Sequence, residues 1–312
     1  MIPLQIVNEN LPALIALGVL AVALGTFWGF TAHRFARRKR NRPVPGALRF
    51  PGQSLLEKLD VLDRKADGSL VYLLLSPLLL YAAYLSCLYF GRREITLAGG
   101  AIIGLAGIGL TVFFFIKRRR HVAERRDVRV QYEGEAAVGQ ELNRLMLEGY
   151  CVYHDFQADD FRIDHILVGP KGVFVIKTKA RSQPSPQGQP PGAVVAYNGR
   201  LLEYPHGTDI HTIEQAESQA AWLSTWLGDA IGESLTANAV VALPGWYVKR
   251  SAPDGIPVIN PKQFHSLLKY VRAKVLDDEL IVRIVLHLEK MCSATVSAAE
   301  PDQQLPTPAH AN

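Results

Sequence analysis

The rhythm of apolar and polar positions changes about a third of the way along the chain. Before residue 120 the apolar positions fall in long unbroken runs. Residues 11–30, 70–90 and 95–116 contain no charged side chain. Each run is close to the ~20 residues with which a helix crosses a bilayer. The pattern therefore predicts a membrane domain over 1–120, with three transmembrane helices and a basic loop at 32–69 between the first two. Within that loop Leu55, Leu56, Leu59 and Leu62 recur at helical spacing.

After residue 120 the periods shorten. Val138, Leu142 and Leu145 lie four and three apart, one face of a helix near 133–147. A strand follows at 150–153. Two apolar strands then flank Gly169-Pro170-Lys171-Gly172, residues suited to a tight turn. Side chains alternate on a strand, so Val173, Val175, Lys177 and Lys179 share a face. Phe174 and Ile176 are expected to point the other way, into the core. Residues 181–192 read as a flexible excursion. Asn198-Gly199 then marks a hairpin between strands at 193–197 and 200–204.

Thr208 or Asp209 can cap the next helix, whose stripe is Ile213, Ala216, Ala220, Leu223 and Leu227. Strands follow at 236–243 and 256–259. A helix from Pro261 carries Phe264, Leu267, Leu268, Val271 and Val275 on its core face, and a last helix runs from Asp277 to about Met291. The tail, 293–312, lacks periodicity and reads as disordered. The predicted fold is three N-terminal transmembrane helices plus an α/β domain over 121–292, a mixed central sheet flanked by helices.

Charge adds an orientation. No Lys or Arg occurs in the first ten residues, whereas Arg34, Arg37, Arg38, Lys39 and Arg40 follow the first run and Lys117 to Arg120 follow the third. By the positive-inside rule the N-terminus faces out and the C-terminal domain faces the cytoplasm, in an inner (plasma) membrane of a bacterium. The net charge of +5 is unevenly spread: residues 1–120 carry +10 and residues 121–312 carry −5. Basic loops suit anionic lipid. The acidic remainder argues against a strongly basic nucleic-acid-binding domain and leaves room for a local patch. Cys87, Cys151 and Cys292 form neither a metal knuckle nor a disulfide framework. Phosphate-loop, dinucleotide, zincin and nucleophile-elbow motifs are absent.

The chemistry concentrates in one stretch. Asp164 lies on the strand before the tight turn, and Lys177 and Lys179 end the strand after it. Glu135 precedes Val138 by three and so faces inward on the first helix. Two readings of it stay open: a site residue, or a first-turn acid favoured by the helix dipole. His165 follows Asp164 and points to the opposite face, where a hydrogen-bonded structural role outweighs ligation. Asp155, Asp159 and Asp160 read as a solvated rim. Trp222 and Trp226 read as packing residues.

These residues resemble the NERD (nuclease-related) domain, over roughly 133–268. The matching motifs are Gly134-Glu135, Gly149-Tyr150, Ile163-Asp164-His165, Gly169-Pro170, Gly172 to Ile176, Thr178-Lys179, Gln215-Ala216 and Val240 to Gly245. The resemblance implies a metal-dependent nuclease half-site of the PD-(D/E)xK type. Asp164 and Glu135 would hold Mg²⁺, a hard cation that takes oxygen ligands. Lys179 would support the attacking water, and Gln215 would help position it. Where that family commonly has Glu, this chain has Lys177, which cannot ligate a metal and could instead sit against a substrate phosphate. The expectations are therefore a Mg²⁺-dependent phosphodiesterase acting on DNA or RNA, a degenerate fold that binds nucleic acid or a protein partner without cutting, or a membrane scaffold contacting the lipid bilayer.

Overall fold

The computed structural model describes residues 48–90, 97–158, 160–182, 193–271 and 275–298. The chain divides into two compact units. One comprises Met1–Pro43 and Lys58–Asp127, the other Val44–Glu57 and Val128–Asn312.

Two long helices, α1 (Gln53–Phe90) and α2 (Leu97–Arg144), supply the described part of the first unit. There Arg125 pairs with Asp63, Lys58 with Glu124 at 3.3 Å, and Arg118 donates to the Ala66 carbonyl at 3.0 Å. Tyr72 stacks on Phe114, and Gly107 admits Leu80 so closely that a Cβ would lie 3.0 Å from its methyl.

The expectation of three transmembrane helices is overturned. Among the described residues, no helix is long and apolar enough to cross a membrane. The apolar residues at 70–90 and 97–116 are not free-standing elements. Each is absorbed into a longer helix whose other turns are charged: Glu57 to Asp67 in α1, Lys117 to Arg129 in α2. The run at 11–30 lies outside the described residues. Membrane anchoring is thus not supported by the described helices.

The second unit holds two sheets. The larger has the order β1-β2-β3-β7-β9, built from β1 (Cys151–Gln157), β2 (Arg162–Gly169), β3 (Gly172–Thr178), β7 (Ala237–Ala242) and β9 (Val258–Ile259). β1, β2 and β3 run antiparallel, and β7 and β9 continue parallel to β3. The β2–β3 hairpin closes where the residues place it, with Gly169 opposite Gly172 and Gly172 at φ 116°. Only glycine takes that conformation without strain.

Both faces of this sheet are buried. On one side Val173, Val175 and Val241 meet α3 (His211–Ile231) and α5 (Asp278–Ala298); on the other Phe174, Ile176 and Val240 meet Val138 and Leu142 of α2 and Phe264 and Leu268 of α4 (Phe264–Tyr270). The face that Val173 and Val175 share is core as well as that of Phe174 and Ile176, as near-continuous apolar strands in a covered sheet require. The expected α3 stripe is buried throughout. Val275 is not core but 67 % exposed, because α4 ends at Tyr270.

A second sheet, order β6-β5-β4-β8, comprises β4 (Ala193–Tyr197), β5 (Leu202–Tyr204), β6 (Gly207–Asp209) and β8 (Trp246–Arg250). The Asn198-Gly199 hairpin joins β4 to β5. The excursion at 183–192 and the residues from 299 on lie outside the description, and α5 continues past Met291 to Ala298.

Candidate functional site: a carboxylate cluster closed by arginine and lysine

Gly134 and Glu135 act together. A Cβ on Gly134 would collide with Ala180, so glycine lets α2 press its backbone against the chain just after β3. Gln131 fixes this contact. Its Nε2 donates to the Ala180 carbonyl at 2.6 Å, and its Oε1 accepts the Ala180 N–H at 3.3 Å. Glu135 is then 2 % exposed, one turn before Val138. Because α2 begins at Leu97, Glu135 is far from any helix start, and the first-turn reading is excluded.

Asp164 is wholly buried on β2. Arg162, two residues earlier, shares its face by strand alternation. The guanidinium of Arg162 makes a fork: NH2 reaches Glu135 Oε1 at 2.7 Å, NH1 reaches Glu135 Oε2 at 3.1 Å and Asp155 Oδ1 at 2.8 Å, and NH2 lies 3.4 Å from Asp164 Oδ1. Lys177 Nζ donates to Asp164 Oδ1 at 3.1 Å, and the Thr178 N–H donates to Asp164 Oδ2 at 2.9 Å.

Asp155 is not a rim residue. It is fully buried on β1, at a φ of 51° that non-glycine residues seldom adopt. The His154–His165 and Phe156–Ile163 pairs flank it, which sets it opposite Asp164. Two acids so placed repel. Arg162 answers one oxygen of Asp155. The other accepts from Arg49 Nε at 2.5 Å, the Ser54 N–H at 3.1 Å and Ser54 Oγ at 2.8 Å.

Three carboxylates thus meet three cations, Arg49, Arg162 and Lys177, and all six carboxylate oxygens accept hydrogen bonds or ion pairs from protein. Burial, and next the charge of Asp164, push the Glu135 carboxyl up to about 7; Arg162 and Lys177 oppose them. Burial lowers the Arg162 pKa, but Asp164 and Glu135 outweigh it and hold the guanidinium proton on.

The residues do not fit a divalent metal. Mg²⁺ demands near-octahedral oxygen ligands and retains several waters. Here the oxygens it would take from Asp164 and Glu135 are bound to Arg162 and Lys177. Among the described residues no group of three His, Cys, Asp or Glu is placed to hold a metal ion.

The other expected site residues lie apart from this cluster. Lys179 pairs with Asp209 at 3.3 Å. Gln215 is exposed. Its neighbour one turn on, Gln219, is 4 % exposed and donates to the Arg162 carbonyl at 2.9 Å. Trp222 and Trp226 stack on each other at 5.9 Å and meet Phe161 and Phe156 edge to face.

His165 is buried and hydrogen-bonded. Its Nδ1 lies 2.8 Å from His154 Nδ1 and its Nε2 lies 3.2 Å from Thr178 Oγ1, while His154 Nε2 lies 2.9 Å from Asn143 Oδ1. One tautomer set satisfies all three bonds. Thr178 O–H donates to His165, His165 to His154, and His154 to Asn143, with both rings neutral. Burial lowers the His154 pKa to about 4 and that of His165 well below 6.5, with Arg162 and Lys177 adding to the latter. The native state therefore binds fewer protons than the unfolded chain between about pH 6.5 and 4. This contribution is complete above 6.5 and is lost as pH falls through 4. His154 alone accounts for about 3 kcal/mol. Glu135 acts with the opposite sign, so the clean measurement is a difference. Urea melts from pH 7.5 to 4.5 should show a steeper acid loss in wild type than in His154→Gln; equal slopes would refute the neutral pair.

Comparison with known families matches residues 131–244 to the nuclease-related domain (NERD). No curated protein and no solved structure matches the chain. The matched span contains Glu135, Asp155, Arg162, Asp164 and Lys177. Arg49 and Ser54, which complete the cluster, lie outside it.

Proposed function

We propose that this nuclease-related domain binds nucleic acid without metal-dependent cleavage, as a degenerate member of the nuclease fold. The closed cluster carries the reading. Where a metal-dependent nuclease needs free carboxylate oxygens, this chain places an arginine fork and a lysine, and the charges balance without an ion. Replacing a metal by fixed cations preserves the local architecture and abolishes the Lewis acid and the metal-bound water on which such hydrolysis depends.

A basic row supports polyanion binding. Lys177, Lys179 and Arg181 recur at every second position along and just beyond β3, and each keeps 15–33 % of its side chain exposed. Such a row follows a phosphate backbone through charge and without reading sequence.

The test is plasmid nicking and single-strand cleavage by the full chain, with EDTA, Mg²⁺ or Mn²⁺. No metal-dependent product is expected, and oligonucleotide binding should be unchanged by EDTA. Cleavage that needs metal and disappears in Asp164→Ala would overturn the reading in favour of an active phosphodiesterase.

A further inference from the structure

The positive charge of the carboxylate cluster is fully consumed. The surplus lies next to it. Lys179 Nζ and Arg181 NH2 both reach the same oxygen of Asp209, at 3.3 and 3.1 Å, so two cations share one carboxylate. That carboxylate is also committed to α3. Its Oδ1 accepts the Thr212 N–H at 3.1 Å and its Oδ2 accepts Thr212 Oγ1 at 3.0 Å. Burial pushes the Asp209 pKa up, but the Thr212 bonds and Lys179 bring it below the ordinary value, so it stays charged. Lys179, Arg181 and Asp209 together carry one positive charge in excess, beside the N-terminal end of a 21-residue helix whose first turn also holds Glu214.

A second observation points to a ligand. Tyr204 pairs across the smaller sheet with Gly207, and Leu202 with Asp209, which sets Tyr204 and Asp209 on one face. The Arg181 guanidinium lies 4.1 Å over the Tyr204 ring. Tyr204 is 8 % exposed, yet its buried hydroxyl has no hydrogen-bond partner in the protein. A buried hydroxyl without a partner costs about 1–3 kcal/mol, so its place on the ring that Arg181 covers calls for an acceptor. Trp246 fixes the arrangement from behind: its ring meets Tyr204 edge to face at 5.0 Å, and its Nε1 donates to the Arg181 carbonyl at 3.4 Å.

We propose that Lys179, Arg181 and the Tyr204 hydroxyl form a phosphate-binding subsite for the backbone of a nucleic-acid strand, separate from the carboxylate cluster. This deepens the binding reading above and rests on it. The two cations turn part of their charge from Asp209 to a phosphodiester oxygen, and Tyr204 donates its O–H to the same group. Asp209 holds the cations in place in the absence of the strand and weakens the complex by its own charge.

The experiment is fluorescence anisotropy of the full chain with a labelled single-stranded DNA, in EDTA, over a salt series. For single strands the slope of log K against log salt is about −0.7 per phosphate contact. Lys179→Gln with Arg181→Gln should weaken binding at least tenfold and flatten the slope by about 1.4. Tyr204→Phe should weaken it at least about tenfold, one hydrogen bond to a charged group, with the slope unchanged. Asp209→Asn should tighten it several-fold, a gain that misfolding cannot imitate. Lys262→Gln and Lys269→Gln serve as surface controls. If wild type binds and the double variant retains its affinity and slope, or Asp209→Asn binds no tighter, the subsite is wrong while the binding reading stands. If wild type does not bind the strand at all, the binding reading fails and the subsite with it.

Discussion

Arg162→Met should be the most damaging single substitution in the domain. It removes the cation that Glu135, Asp155 and Asp164 share, and leaves three buried acids with Lys177 and Arg49. Breaking a buried ion pair from one side costs about 3–5 kcal/mol, because the partner charge is left without compensation. The loss should depend on pH. Without Arg162, which holds the Glu135 pKa down against burial, that raised carboxyl pKa rises further above its unfolded value. Stability is then kept at low pH, where Glu135 holds its proton, and is lost as pH rises through that raised value. Trp222, Trp226 and Trp246 all lie in this unit, so their emission reports its unfolding. Urea midpoints should show a large deficit at pH 8 that shrinks at pH 5. A deficit below about 1 kcal/mol, or one equal at both pH values, would mean that Arg162 is solvated and not structural.

The sequence revealed the parts of this site that local rules decide. The β2–β3 hairpin was legible because Gly169, Pro170 and Gly172 restrict φ and the flanking strands are strongly apolar. Glu135 was legible as inward-facing because helical period ties it to Val138. Arg162 was available to the same logic, two residues before Asp164, but its role lies in the reach of a long side chain, which parity does not give. Asp155 escapes the sequence pattern, which ends the strand at Tyr153. The strand in fact passes through a positive-φ residue, a conformation that propensity reasoning assigns to loops.

Arg49 and Ser54 were out of reach for a different reason. They lie more than a hundred residues before Asp155 in sequence and enter the domain from ahead of the family-matched span. The contact depends on tertiary packing, where Pro51 lies against Gly139. Motif position singles out Gln215. The helical phase of α3, with Ala216 and Ala220 buried, carries Gln219 inward and leaves Gln215 exposed. The apolar runs at 70–90 and 97–116 are parts of helices of 38 and 48 residues, a continuation that run length does not reveal.

The remaining large effect concerns Lys177. An ammonium about 4 Å from a divalent cation repels it by roughly 8 kcal/mol at an effective dielectric of ~20, twice the unit-charge value. That alone excludes ordinary Mg²⁺ affinity. Lys177→Glu removes the repulsion, adds a hard oxygen ligand beside Asp164 and changes the cluster from balanced to two negative charges in excess. Mn²⁺, followed by its paramagnetic resonance signal, should remain free with the wild-type chain at about millimolar concentration, a level weaker than −4.1 kcal/mol of binding free energy. It should bind to Lys177→Glu, and more tightly when Arg162→Gln is added. The same substitution should destabilise the metal-free protein, with stability restored by Mn²⁺ in proportion to its binding. If folded Lys177→Glu shows no Mn²⁺ binding while the double variant does, Arg162 is the residue that excludes the metal. If neither binds, the cluster lacks the geometry of a metal site whatever its charge, and the degenerate reading then rests on architecture and not on the exchange of one glutamate for a lysine.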